Sequence, residues 1–561
     1  MEEKISFVAL GGLDTNGNNC FCVEINDDIF VVSCGIGYPD KFESGVDFVI
    51  PDYSYLKENK NRVKAYFITH GHDDTLGALS YFYSIAPAPI YMSSFTRYIF
   101  NYILKYNKQD INNFDIHLVK PSDEFYVANR KITYFETAHS VPDTSGVAIA
   151  SSKGNIVFSG DYIIEYTSFD RFKFDFKAVS KLADDNNYLL LMNSLNCTRK
   201  GYTSPSHKAT SYVSEAANEA SGRLFVALYS QRIYNVVETI YEALNDQRKI
   251  YLYDEETKAI VKSLLDEGII SLKEDDIIKS DAISSFKDSN ICVLIMGMGD
   301  ILYQKISMLA LRDIKDKRLY LEESDTFLLL CPPSNNFEVM AVSVLDELYK
   351  TNCHVINISK KQIIKMHPSE DDIKLFISLI HPKFFIPIKG QYKDLIANAE
   401  IATSMNVGLN HKNVILLDCG MKATFNNDVI SVASIENEKI RVGSLMVDGI
   451  GVGDVANDII LERNQLSQDG IIVMSLLVSL SEKKIVGGPD IQMRGYLYLK
   501  ESEGILKSIE NLFVDIVNKH LSSDNFDTTQ CKDEIIETVS RFTRKSTLRN
   551  PVIEPEILII D

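Results

Sequence analysis

Residues 66–79 read YFITHGHDDTLGAL. An apolar run ends in His70-Gly71-His72, and two carboxylates follow at Asp73 and Asp74. The longer run RVKAYFITH has the pattern of a buried strand, and the acids suit the start of a helix near Asp73. Two imidazoles two residues apart at a strand end can turn toward one point in the loop beyond, the usual beginning of a metal site. A further histidine would complete the pattern, but position 75 holds Thr75. The stretch is a metal site that stops one ligand short.

Working outward, CFCVEINDDIFVVSCG gives two β-rich runs joined at Asn26-Asp27-Asp28, a hairpin signal. KITYFETAHS and GNIVFSGDY are two further strands, delivering His139 and Asp161 beyond their C-terminal ends. Polar residues at strand ends, beside loops, are where metal-binding and catalytic groups tend to sit. From about residue 201 the pattern changes. RLFVALYS, KIYLYD, NICVLIMGMGD and DTFLLLCPP are short buried strands separated by helical segments such as RIYNVVETIYEALND, which argues for a parallel α/β domain. HPKFFIPIKGQY restores the strand-then-polar pattern. After a glycine-rich joint, GSLMVDGIGVGD, the chain reads as strands (GIIVMSLLV, GYLYLKE), then helices, then a final strand, a small α+β domain.

The chain has 561 residues, too many for one core. At 45% apolar and 24% charged it has a globular composition. No apolar run approaches the roughly 20 residues of a membrane span, and the start has no secretory pattern. The nine cysteines are scattered and odd in number, which predicts reduced thiols in a cytoplasm; Cys20 and Cys22 are spaced for packing on one strand face rather than for zinc. A net charge of −19 argues against a generally basic nucleic-acid binder but leaves room for a local basic channel.

His70, His72, His139 and Asp161, with Asp74 beside them, suit a zinc-sized ion that would activate water. Asp73 or Asp74 can equally cap the helix, and His139 can be a hydrogen-bonded loop histidine. Each element alone is modest; the order H-x-H-x-D, a histidine after one strand and Gly-Asp after the next is specific.

At these positions the chain resembles the ribonuclease J family of the metallo-β-lactamase superfamily, in its β-CASP group. The likeness runs through VALGGLDTNGNN, VDFVIPDYSYL, TAHSVPDTSG, FSGDY, HPKFFIPIKGQY, GDVANDIILERNQLSQDGII and GPDIQMRGYLYLKES, almost the whole length. It implies an αββα metallo-β-lactamase sandwich (1–205 and 360–440), split by an inserted parallel α/β β-CASP domain (206–359). A linker (441–454) and an α+β association domain (455–561) would follow. It implies metal-dependent ribonucleases that degrade RNA 5′→3′, can also cut internally, and assemble as dimers, tetramers or pairs of paralogues.

Carried over by position, the first metal's ligands are all present: His70, His72, His139 and the bridging Asp161. Of the second metal's ligands, Asp74 and Asp161 remain, but the two histidines are Thr75 and Lys389. His367 retains the phosphate-facing histidine, in an altered setting, IIKMHPSE. Ser33 and Asn193 replace two acidic residues. The pattern resembles the family's second, catalytically degenerate type of paralogue. It implies one zinc, with Mn2+ or Mg2+ as alternatives, and weak hydrolysis, with Asp74 orienting water and His367 facing phosphate. The alternative is a non-catalytic subunit that stabilises an active paralogue.

Two expectations concern cations. The Lys389 ammonium can neutralise Asp74 and Asp161 at the vacated second-metal position, or reach solvent or an RNA phosphate. Arg232, with His367, can hold a phosphate where YSQRIYN, MGMGD and KMHPS meet. Residues 97–108, RYIFNYILKYNK, and 540–549, SRFTRKSTLR, mix basic with aromatic or polar residues, which suits phosphate contact and base stacking but also describes solvated helix faces.

Overall fold

The chain folds into two units: Met1–Tyr38 with Val49–Leu445, and Pro39–Phe48 with Met446–Asp561. The computed structural model describes residues 3–15, 17–39, 45–425, 433–435, 439–449, 451–453, 457–497, 503–523 and 525–560. Asn16 of the opening glycine-rich turn, Ile450 and Asp454 of the joint, and residues 498–501 of GYLYLKE lie outside them.

Two sheets face each other in the first unit. One has eight strands, in the order Ala433–Ile435, Lys422–Phe425, Ile5–Gly11, Cys20–Ile25, Asp28–Val32, Val63–Phe67, Ile90–Met92 and Ile116–Leu118. The hairpin read from CFCVEINDDIFVVSCG is present, closing with Ile25 opposite Asp28. The other sheet runs Phe384–Ile388, Asn187–Asn193, Gly154–Phe158, Ser145–Ser151, Arg130–Glu136 and Glu124–Val127. Phe7, Phe21, Phe30 and Phe67 from the first sheet meet Phe158, Leu191, Phe384 and Ile386 from the second in one apolar core. The run NYLLLMN shows why these strands lack polar alternation: Leu189 and Leu191 point into the sandwich, while Leu190 and Met192 point into the helical layer behind.

Between Asn193 and Phe384 the chain builds a separate five-stranded sheet. Its order is Lys249–Leu252, Ile291–Gly297, Leu224–Tyr229, Thr326–Leu329 and His354–Asn357, with every pairing parallel. The chain then re-enters the sandwich, where Phe384–Ile388 pairs parallel with Asn187–Asn193 and sets Ile388 beside Asn193. That register brings residues 193 and 389, far apart in sequence, to the same sheet end.

In the second unit, Ile471–Ser479 lies between Lys484–Arg494 and Val552–Ile559, and the helices Glu503–Leu521 and Thr528–Thr547 share its apolar core. The helix Asn457–Asp469 precedes the sheet. Lys484–Arg494 is a strand, and residues 495–497 of GYLYLKE follow its end without strand structure. Its Gly487-Gly488-Pro489 reads as a breaker in sequence, but register shifts between Ser475 and Val478 on the partner strand absorb it. All nine cysteines are unpaired, and among the described residues no helix is long and apolar enough to cross a membrane.

Candidate metal centre

Five strands of the first unit end at one place. Val63–Phe67 leads to His70 and His72, Arg130–Glu136 to His139, and Gly154–Phe158 to Asp161; Asn187–Asn193 ends in Asn193 itself, and Phe384–Ile388 is followed by Lys389. The three imidazoles of His70, His72 and His139 form a triangle with ring centroids 4.8, 5.1 and 5.0 Å apart. With Asp161 they make a set whose ligand atoms all lie within 4.8 Å of one another.

The donor set fits one divalent ion. A tetrahedral ion with bonds of about 2.0–2.1 Å places its ligand atoms about 3.4 Å apart. His139 Nε2 lies 3.3 Å from His72 Nδ1, and Asp161 Oδ2 lies 3.5 Å from His70 Nε2 and 3.7 Å from His139 Nε2. The outward ring nitrogens are held elsewhere, which fixes which nitrogen faces the centre. His139 Nδ1 pairs with the Met366 carbonyl at 2.6 Å and His70 Nδ1 with Thr69 Oγ1 at 3.0 Å; His72 Nε2 pairs with the Gln231 carbonyl and Ser140 Oγ, both at 3.2 Å. Burial pushes His70 and His139 well below the ordinary histidine range, so both are neutral, as metal ligation requires.

The other side of Asp161 is occupied by an ammonium. Lys389 Nζ lies 2.8 Å from each Asp161 oxygen and 3.4 Å from Asp74 Oδ2. Lys389 is buried. Burial alone would lower its pKa, but Asp161 and then Asp74 outweigh that and raise it. Burial likewise opposes ionisation of Asp161, yet Lys389, with the neighbouring histidines, holds its carboxyl well below the usual range. Both partners are therefore ionised at neutral pH. The lysine extends toward the two carboxylates rather than toward solvent.

The remaining substituted positions are woven into this arrangement. Asn193 Nδ2 donates to Asp161 Oδ1 at 3.0 Å and to His367 Nδ1 at 3.1 Å. His367 Nδ1 accepts that bond, so in the neutral ring the proton is on Nε2; burial lowers the His367 pKa to about 4. Thr75 Oγ1 lies 3.2 Å from Asp74 Oδ1 and 3.4 Å from His70 Nε2. Ser33 stands at the end of its strand with φ 63°, its N–H bonded to the Phe67 carbonyl. Asp74 does not cap the short helix Asp73–Leu76: the helix has no side-chain cap, and the Asp74 carboxylate accepts from Asn19 Nδ2 at 3.0 Å. Gly35 permits this course, since a Cβ there would stand 1.6 Å from the Asp74 carbonyl oxygen.

Asn19, Gln231 and Ser140 were not singled out in the sequence, although Asn19 lies in VALGGLDTNGNN. Gln231 brings the loop after Leu224–Tyr229, from the inserted sheet, against His72. Arg232 follows it, with its guanidinium 5.7 Å from the Tyr229 ring centroid and a buried Nη1 that has no hydrogen-bond partner. Tyr234 is core, packed on Phe169 and Phe172.

Family models match in three successive blocks: the metallo-beta-lactamase superfamily over residues 13–189, the ribonuclease J beta-CASP domain over 221–347, and the ribonuclease J C-terminal domain over 458–560. Relatives named Ribonuclease J 2 from Staphylococcus epidermidis and Staphylococcus aureus are each 28% identical, over 99% of this chain and 98% of their own length. A crystal structure of a protein of unknown function from Enterococcus faecalis V583 shares the fold, with a TM-score of 0.52 at 15% identity, covering 75% of this chain and 100% of that one. Split sandwich, inserted parallel domain, C-terminal unit and His/Asp cluster agree with these matches, and the chain belongs to the ribonuclease J family of metallo-β-lactamase/β-CASP proteins.

Proposed function

We propose that this chain works in RNA processing and decay as a ribonuclease J-type hydrolase with 5′→3′ exonucleolytic character, and that its own turnover is slow. The observation that carries this is the side-by-side placement of a one-ion donor set and a buried lysine on the same carboxylate. His70, His72, His139 and Asp161 hold a single divalent ion, and three imidazoles favour zinc over manganese or magnesium. When bound, such an ion supplies Lewis-acid activation of water near neutral pH. Asp74, steadied by Asn19 and Thr75, orients the attacking water. His367 keeps Nε2–H for a phosphate oxygen, and Arg232 offers a second phosphate contact.

Lys389 takes the second ion's place. It neutralises the carboxylates, but as a single charge with no open coordination position it cannot clamp the leaving oxygen. A loss of roughly 4 kcal/mol of transition-state stabilisation is about a thousandfold in rate. The direct test is hydrolysis of a 5′-monophosphorylated RNA by the purified chain beside its His72→Ala variant, with ions counted by native mass spectrometry. One ion per chain and slow cleavage abolished by the substitution are expected. Two tightly held ions, or cleavage that survives His72→Ala, would falsify this assignment.

A second reading is favoured by the way Lys389 and Asn193 together engage Asp161 Oδ1. In that case the chain is a non-catalytic subunit that binds and stabilises an active paralogue, within a homo- or hetero-oligomer. No cleavage together with tight co-purification with an active homologue selects it. The unpaired cysteines suit a cytoplasmic setting for either role.

A further inference from the structure

The helix Ser94–Tyr106 starts beside the metal loop. Gly71, between His70 and His72, sits so close that a Cβ there would lie 3.3 Å from Ile99 Cγ1 and 3.6 Å from Thr96 Cα. Phe95, Thr96, Phe100 and Leu104 are buried, Phe100 edge-on to Phe114 at 5.1 Å. The outward side carries Tyr98, Tyr102 and Tyr106, spaced i, i+4, i+8, so they form one ridge. The ridge turns steadily into solvent: Tyr98 is half-buried, Tyr102 is 57% exposed and Tyr106 is 84% exposed. Its length is about 12 Å, at about 6 Å per step.

Such large exposed aromatics, in register and flanked by cations, are what single-stranded nucleic acid uses for base stacking. Exposed Arg97, Lys105 and Lys108 flank the ridge. The nearby acids are already engaged: Asp266 with Lys262 at 2.8 Å, and Glu267 with the Ser94 hydroxyl at 2.6 Å. The contrast with residues 540–549 is informative. There Phe542 packs against the core of its unit, and Arg541 is paired with Glu537. That stretch presents basic side chains without a stacking face.

We propose that Tyr98, Tyr102 and Tyr106 form a stacking ladder for single-stranded RNA, leading away from the metal loop along the Ser94–Tyr106 helix, with Arg97, Lys105 and Lys108 on its phosphates. The ladder rests on the nuclease reading above and adds to it a path for the strand. Stacking is tolerant of base identity, so the ladder grips RNA without sequence preference.

The chain contains no tryptophan, so Tyr102→Trp installs a unique fluorophore on the ladder. The probe is a phosphorothioate 12-nucleotide oligoadenylate carrying a 5′-monophosphate, added to the full chain; a fluorescein-labelled copy reports affinity by anisotropy. Tyr102→Trp keeps a stacking ring on the ladder, and its emission should be quenched on addition of unlabelled oligonucleotide. Tyr102→Ala with Tyr106→Ala should weaken binding at least tenfold, with unfolding midpoint unchanged because both side chains are exposed. A duplex of the same length should quench little. Binding by the unsubstituted chain without tryptophan quenching overturns the ladder alone. No binding by the unsubstituted chain overturns the nuclease reading and the ladder together. Emission that follows protein concentration instead of oligonucleotide overturns the ladder in favour of self-association.

Discussion

The two sides of Asp161 are built differently. On the Oδ2 side stand three imidazoles, each with its far nitrogen bonded and its near nitrogen aimed inward. Opposite them Lys389 bonds both Asp161 oxygens, and Asn193 adds a donor to Oδ1. The first side is a donor set for one ion; the second is an ion pair. Each substituted position that touches a remaining carboxylate brings a donor: Lys389 to both acids, Asn193 to Asp161 and Thr75 to Asp74. A buried carboxylate with a half-buried one beside it needs a compensating cation, and one is present in covalent form.

The comparison can be broken most decisively by rebuilding the second side. Thr75→His combined with Lys389→His should raise bound ions from one to two per chain and increase RNA cleavage by up to about a thousandfold. Flat ion counts and flat rates would mean that the second side has changed beyond its ligands. Next in size is Lys389→Ala, which strands two carboxylates. Removing one partner of a buried ion pair costs about 3–5 kcal/mol, and denaturant unfolding in EDTA should show it, with partial recovery on adding Mn2+. A cost below about 1 kcal/mol would indicate that the lysine does not balance the site. Asn193→Asp sharpens the picture from the other direction. With Lys389 in place it exchanges a donor for a second charge beside Asp161, and a loss of about 1–3 kcal/mol is expected by the same unfolding assay. The smallest effect belongs to Asn19→Ala, which removes the Asn19 Nδ2 bonds to the Asp74 carbonyl and carboxylate. It should cost about 1 kcal/mol and leave the ion count at one; a lost ion would tie Asp74 to the first side instead.

Much of this was legible in the sequence because strand ends announce themselves. HGH, TAHS, SGDY and PIKG each close an apolar run, which marks His70, His139, Asp161 and Lys389 as strand-end residues; that Lys389 would meet Asp74 and Asp161 came from the family resemblance. The hydrogen-bonding partners were less legible. Asn19 and Gln231 reach the site from a turn and from an inserted domain, and no local periodicity marks a residue whose role is set by what docks on it. In the second unit KIVGGPDIQMR was not read as a strand. The sheet tolerates Gly-Gly-Pro through a shift in pairing that one strand alone cannot reveal. Tyr496 is buried there because its hydroxyl meets Thr547, a tertiary contact invisible to propensity.

Lys389 also occupies a left-handed backbone position, φ 57°, with its N–H tied to the Gly12 carbonyl, so its main chain is fixed before its side chain reaches inward. A counter-ion carried on the polypeptide has no dissociation constant. Half of this centre is thereby indifferent to metal starvation and to chelators. The fold keeps a cation between Asp161 and Asp74 through conditions that would remove a bound ion.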